Sequence, residues 1–330
     1  MNVEPFLKFC EQAAPAAYGQ NLQDLFCLWA SGLRRDGYFV EFGALNGQNV
    51  SNSYLLEKLG WSGIVAEPHP DYGNLIKSNR SCNVSTDCVW RASGEKLTFK
   101  AVKGRPALST VSGLDYDDQR EQEGMRDDFI EHQVETISLN DLLKSFDAPS
   151  YIDCLSIDTE GSELEILRAF DFSAHTFGTI VAEHSYSSHR DPICKLLNDH
   201  GYIRVWTDIS DHDDWFVHAS YADHILESQT NASQLLIETA NMEDTHHAAD
   251  RMIRLSRMAD KHGLKEMAVR CSQYAAMSEP ENFNAQLNHA QLCAVSKRTR
   301  DAIVAYRKAI ELRPNFIQAQ NQLAQIVQKQ

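Results

Sequence analysis

The sequence predicts an α/β protein, a mostly parallel, doubly wound sheet with helices on both faces, followed by an all-α module. Three observations predict it. From Gly37 to about His200, short apolar runs alternate with helix-length amphipathic stretches, the order in which a parallel sheet is wound. Two last strand-like runs, Ile203–Thr207 and Trp215–His218, flank the acidic turn Asp208–Asp214 and read as an antiparallel hairpin finishing the sheet. From about Met242 onward the pattern is wholly helical, and Ala268, Ala275 and Pro280 recur 34 residues later as Ala302, Ala309 and Pro314.

Each element follows from local pattern. Residues 3 to about 34 are helix-like, with Leu22, Leu25, Phe26 and Trp29 at three- and four-residue spacing. The period then changes, and Gly37–Gly43 is an apolar strand ending at glycine, followed by the turn Ala44–Gly47 and a helix over about Val50–Leu59. Ile64–Glu67 is the second strand, stopped by Pro68 and Pro70. Further strands are expected near Val84–Ala92, Cys154–Asp158 and Thr179–Glu183, with helices over Glu163–Phe170 and Pro192–His200. Leu97–Glu135 is irregular and rich in Gly, Asp, Glu and Gln, so it reads either as a substrate lid or as a solvated insertion. The expected organisation is an N-terminal helical segment at 1–36, the sheet domain at 37–225 and helical repeats at 242–330. The 34-residue period, with Gly263 and Tyr306 at fitting positions, resembles tetratricopeptide repeats, although Ser272 stands where the second repeat has Tyr306. With a final helix at Ile317–Val327 this makes a small capped array, a type that binds peptides, partner subunits or its own domain.

Composition narrows the partners. The chain has 330 residues with 31 basic and 46 acidic, a net charge of −15. Residues 241–330 hold 13 basic against 9 acidic, leaving 18 against 37 in the rest. So acidic a region is a poor match for a polyphosphate backbone, which disfavours nucleic acid. No apolar run approaches the roughly 20 residues that span a bilayer. Met1–Glu11 carries Glu4 and Glu11 and lacks the basic-then-apolar pattern of a secretory signal. The eight cysteines form no CxxC pair, so reduced thiols and a cytoplasmic location are expected.

The chemistry starts at the first strand and its turn, Glu41-Phe-Gly43-Ala-Leu-Asn-Gly47. Glycines there allow a sharp turn and close approach of a ligand, and a nucleotide cofactor binds beyond the carboxyl ends of such strands. Glu67 ends the next strand, 20 residues after Gly47, where a carboxylate can accept both ribose hydroxyls. Tyr18–Asp24, Phe39–Gly47, Ser51–Glu57, Gly60–Pro68 and above all Ile157-Asp-Thr-Glu-Gly-Ser-Glu163 resemble the FkbM methyltransferase family in order and spacing, over roughly residues 15–220. The resemblance implies a Rossmann-like class I methyltransferase fold, S-adenosylmethionine as donor, and O-methylation (EC 2.1.1.-) of sugar or polyketide hydroxyls. It implies that Glu41, Gly43 and Gly47, with Asn46 in the same turn, meet the methionine part of the cofactor, and Glu67 its ribose. Ser51 and Asn52 would begin the next helix and face the cofactor carboxylate through the helix dipole. Adenine would pack near Ala92 and Ser93.

Asp158 and Glu160 close the fourth strand, where class I methyltransferases place catalytic groups. Methyl transfer to a hydroxyl needs positioning and a base. Asp158 is one candidate, and the pair Glu183-His184 after the fifth strand is another, histidine being suited by its near-neutral pKa. The alternative is that Asp158, Glu160, Glu183 and His184 converge on a divalent metal such as magnesium or calcium. Glu160 and Glu163 can instead serve the start of the helix at 163–170. His212 and the pair His246-His247 sit in no ligand pattern. The leading function is O-methylation of a sugar or glycan hydroxyl. The alternatives are methylation of a small polyketide-like metabolite, or a binding protein whose methyltransferase domain is a relic and whose repeats recruit a protein partner or a second copy.

Overall fold

The computed structural model describes residues 2–114, 118–221 and 247–328. The chain divides into two compact units, one from Tyr18 to Ala232, the other joining Asn2–Ala17 to Ser233–Gln330. The expected limits at 225 and 242, and His246, lie outside the described residues.

In chain order the helices and strands before the second unit's main body are α1 (Glu4–Ala13), α2 (Gln23–Ala30), β1 (Tyr38–Phe42), α3 (Tyr54–Lys58), β2 (Ser62–Ala66), α4 (Gly73–Asn79), β3 (Asn83–Ser85), β4 (Cys88–Trp90), β5 (Lys96–Val102), β6 (Thr110–Val111) and α5 (Gln119–Gln122). They continue as β7 (Phe129–Ser138), α6 (Leu139–Ser145), β8 (Tyr151–Ile157), α7 (Glu163–Ala169), β9 (Thr176–Glu183), α8 (Arg190–Asp199), β10 (Tyr202–Val205) and β11 (Asp213–His218).

The main sheet has the strand order β10-β11-β9-β8-β1-β2-β3. Its five strands from β9 to β3 are parallel, while β11 runs antiparallel to both β9 and β10, the hairpin expected from the acidic turn. Every residue of β1 and β9 after the first is buried, and β8 likewise. Helices cover both faces of these central strands, which is why they read as mostly apolar runs rather than as a strict alternation. Leu155, Ile180 and Phe216 from the strands pack in one core with Leu142 and Leu143 of α6 and Leu164, Ile166 and Leu167 of α7.

Three expectations change. The run Val84–Ala92 is two strands in two sheets, since β3 pairs with β2 and β4 pairs with β7. The helix expected over Val50–Leu59 is only the five residues of α3, because Ser51–Ser53 form a turn fastened to Glu41 instead. The segment Leu97–Glu135 is a second sheet, of order β4-β7-β5-β6. Phe99, Ala101, Val111 and Val134 pack with Cys88 as its own small core. Its alternation is masked in sequence by Lys96, Lys100, Glu131 and Glu135, which stand between the inward residues.

In the second unit α9 (Ala248–Lys261), α10 (Lys265–Ser278), α11 (Phe283–Val295), α12 (Thr299–Leu312) and α13 (Ile317–Gln328) pack in succession. The 34-residue period is structural: α10 and α12 are offset by it, Gly263 and Lys297 both take positive φ, and Ala268, Ala275, Ala302 and Ala309 are fully buried. The helical segment read at 1–36 divides at Tyr18. α1 packs on α9 and α10, burying Phe6, Leu7, Phe9 and Cys10, and Arg270 holds Glu11 at 2.6 Å. Periodicity showed an apolar face on α1 but not which partner covers it. No helix among the described residues is long and apolar enough to cross a membrane.

Candidate active site

The order of the main sheet reverses between β1 and β8, the place where ligands bind in doubly wound sheets. A cavity of about 290 Å³ lies there, at the carboxyl ends of the strands. Gly43 makes the junction possible. It has φ +73°, and a Cβ on it would lie 1.8 Å from the Asp158 carbonyl oxygen, so no other residue fits without parting β1 from β8.

Glu41 and Glu67 both line the cavity but differ in their partners. Glu41 accepts hydrogen bonds from the Ser51 hydroxyl at 2.8 Å, the Asn52 backbone N–H at 2.7 Å and the Ser53 hydroxyl, and Arg80 lies 3.5 Å away. Arg80 is fully buried and also bonds Glu57, the Gly47 carbonyl and both serines. Burial works against its charge, but Glu41 and Glu57 hold its pKa above the usual range. Glu41 is thereby a clamp that shapes the loop Gly47–Ser53. Arg80 had no signal in sequence, being a single residue after α4 with no local pattern.

Each Glu67 oxygen accepts one backbone N–H, from Leu45 at 2.8 Å and His69 at 2.7 Å, leaving lone pairs for a ligand. Burial, opposed by those two N–H donors and reinforced by Glu41, raises its pKa to about 7. Asn52 donates to Ser156 at 2.9 Å, while its buried Oδ1 has no hydrogen-bond partner among the described residues. Cys88, Val89, Phe99, Leu108 and Val111 form an apolar wall, supplied largely by the second sheet.

Other residues singled out in sequence lie elsewhere. Asn46 caps its own turn through Gln48 and Asn49, and neither it nor Gly47 or Ser51 lines the cavity. Ser51 and Asn52 do not begin a helix, because α3 starts at Tyr54. Ala92 and Ser93 face the second sheet and α6: Ala92 accepts from Thr136 and Ser93 donates to Asp141. The cavity is lined instead by Cys88 and Val89, four residues earlier.

Asp158, Glu160 and Glu183 converge at the strand ends, with one oxygen of each within 4.8 Å of the others. Glu160 has φ +54° and is held by the insertion: Thr110 donates to its carbonyl, Arg120 to Oε1 at 2.7 Å, and Arg126 to Oε2. Arg120 also lies 3.1 Å from Glu183 Oε1, which accepts from Ser185 as well. Glu183 is 4% exposed, and its Oε2 takes no N–H or hydroxyl donor among the described residues. Burial and the Glu183 carboxylate raise Asp158 well above the carboxylate range, and the same two causes raise Glu160 to about 8 against the pull of both arginines. Arg126 is itself gripped by Asp118 at 2.7 and 3.0 Å. Sequence reading missed Arg120 and Arg126. Their only signal was two arginines inside an otherwise acidic stretch, which has meaning once the acids at the strand ends are known.

Two candidates are set apart from this cluster. His184, 2% exposed, lies off the cavity; its Nδ1 accepts from Tyr186 and burial lowers its pKa. Glu163 caps the turn before α7, accepting from Thr159 and Gly161, and burial raises it to about 7.

The glycine turn clamped by Glu41, the buried strand-end Glu67 and the cluster of Asp158, Glu160 and Glu183 thus meet on one cavity of the α/β domain. Residues 41–216, more than half of the chain, match the family model described as methyltransferase FkbM domain. The chain belongs to the FkbM methyltransferase family. No curated protein matches it.

Proposed function

We propose that the chain is an S-adenosylmethionine-dependent O-methyltransferase acting on a hydroxyl of a sugar or glycan. The observation that carries the reading is Glu67, a buried carboxylate with free lone pairs on the cavity wall beside the Gly43 turn. The sheet order supports a Rossmann-like class I fold. Family membership supports the cofactor, and the sugar acceptor rests on the family resemblance.

The residues fit the group. Glu67 would hold the ribose hydroxyls, the unpartnered Oδ1 of Asn52 would accept from the ammonium, and Val89, Phe99 and Val111 would flank adenine. When bound, the cofactor supplies a methyl group on a sulfonium centre. Asp158, with Glu183 beside it, would accept the proton that the acceptor hydroxyl loses on methylation. Burial and the neighbouring carboxylate raise Asp158 above the usual carboxylate range, which strengthens its oxygens as proton acceptors. We assign the proton to these two groups rather than to His184, which does not reach the cavity.

The polyketide-like alternative draws on Pro106, Ala107 and Leu108, apolar residues on the same cavity. The helical unit, with its 34-residue structural period, is read as tetratricopeptide-like and as the seat of a protein partner or second copy.

Calorimetry with S-adenosylmethionine tests the reading. Wild type should bind, and Glu67→Ala should bind at least about tenfold more weakly, since a hydrogen bond to a charged group contributes about 1.5–3 kcal/mol. Silence from wild type would favour the relic alternative. With an acceptor found by labelled methyl transfer to a panel of neutral glycosides, Asp158→Asn should lower kcat by about 10²-fold or more at unchanged cofactor affinity.

A further inference from the structure

Asp158, Glu160 and Glu183 offer oxygens within 4.8 Å of one another, about twice the 2.3–2.6 Å bond that calcium makes to oxygen. By geometry alone this is a cradle for a divalent ion. A guanidinium already sits in it. Arg120 Nη1 lies 2.7 Å from Glu160 Oε1 and 3.1 Å from Glu183 Oε1. Its side chain is 27% exposed and lines the cavity. Arg120 comes from α5, in the insertion, whereas the carboxylates come from the ends of β8 and β9. The residue therefore joins two parts of the domain at the point where the reading above places proton transfer.

We propose that Arg120 is the built-in cation of this cluster: it occupies the place a divalent ion would take, and it positions Glu183 for its role beside Asp158. Glu183 Oε1 is fixed by Arg120 and Ser185. The side chain is thus held so that Oε2 takes no N–H or hydroxyl donor among the described residues, and Glu183 shares a hydrogen bond with Asp158. Arg126 is committed elsewhere: besides Glu160 Oε2 it grips Asp118 and lies 3.5 Å from Glu121. Removing Arg120 frees one oxygen on Glu160 and one on Glu183 while Asp158 stays in place. The emptied cradle should then take up a hard divalent cation. The role assigned to Glu183 rests on the methyltransferase reading, but the occupancy of the cradle does not.

The test uses the full chain and Mn²⁺ alone, followed by electron paramagnetic resonance, with S-adenosylmethionine affinity measured in parallel. Wild type should leave the free-ion signal unchanged up to about 1 mM Mn²⁺, the weak end of the range for biological carboxylate sites. Arg120→Ala should bind one Mn²⁺ below that concentration and lose the ion again when Glu183→Gln is added. Arg120→Lys, which restores a cation, should exclude Mn²⁺ as wild type does. Binding of Mn²⁺ by wild type as tightly as by Arg120→Ala would overturn the proposal. So would an Arg120→Ala protein that is folded by circular dichroism but takes up no Mn²⁺. Should wild type itself fail to bind S-adenosylmethionine, the cofactor reading falls and the manganese comparison still decides what fills the cradle.

Discussion

Glu41 and Glu67 end adjacent parallel strands, yet only one is free to meet a ligand. Glu41 gives both oxygens to Ser51, Asn52 and Ser53, with Arg80 beside it. Glu67 keeps lone pairs, and its burial has a pH signature. Ribose hydroxyls donate, so they favour the carboxylate, whereas a protonated Glu67 gives one oxygen to its own proton. With a pKa of about 7 in the free protein, the ionised fraction falls as pH drops, approaching tenfold per unit well below that value. Affinity for S-adenosylmethionine should therefore weaken by about tenfold or less from pH 8 to pH 6. Glu67→Gln should bind weakly with a flatter pH dependence. Parallel slopes for the two proteins in calorimetry would remove Glu67 as the titrating group. The position of Glu67 was legible in sequence because an acid ending an apolar run, at that distance from a glycine turn, is a local pattern. Arg80 and Arg120 were not, since what gives them meaning is a carboxylate brought near by folding.

Strand junctions carry the next constraint. β1 and β8 touch at Gly43, where a Cβ would meet the Asp158 carbonyl at 1.8 Å with φ at +73°. Gly94 has a similar φ, +79°, but nothing within 4 Å of the same atom. Gly94→Ala should therefore cost only the conformational penalty, about 1–2 kcal/mol. Gly43→Ala adds overpacking between two buried strands and should cost about 2–4 kcal/mol. Urea unfolding midpoints compare them, and equal losses would mean that β1 and β8 can part without strain. The same strands explain what was legible among the elements. β1, β8 and β9 are covered on both faces, so their sequences are mostly apolar and announce themselves. β5 and β7 bury one face in a small sheet and carry lysines and glutamates on the other, so their stretch reads as a polar loop. β3 and β4 are three residues each and two residues apart. No periodicity separates strands that short, although they belong to different sheets.

At the scale of the whole chain, the two compact units are not two consecutive pieces of sequence. Asn2–Ala17 belongs with the C-terminal helices, and the sheet unit starts at Tyr18. Truncation experiments depend on this. Phe6, Leu7, Phe9 and Cys10 of α1 are buried, and α1 packs on α9 and α10. A fragment of residues 1–232 keeps α1 but deletes those helices, exposing a contiguous apolar face of the kind that drives association. A fragment of residues 18–232 removes α1 together with its partners. We predict that 18–232 is monodisperse in size-exclusion chromatography with light scattering and binds S-adenosylmethionine within about twofold of the full chain. The longer 1–232 fragment should self-associate, and Phe6→Ser with Phe9→Ser should relieve it. Equal behaviour of the two fragments would show that α1 does not need the helices it packs on. Loss of cofactor binding in 18–232, with the fragment folded by circular dichroism, would show instead that the cofactor site draws on residues beyond the sheet unit.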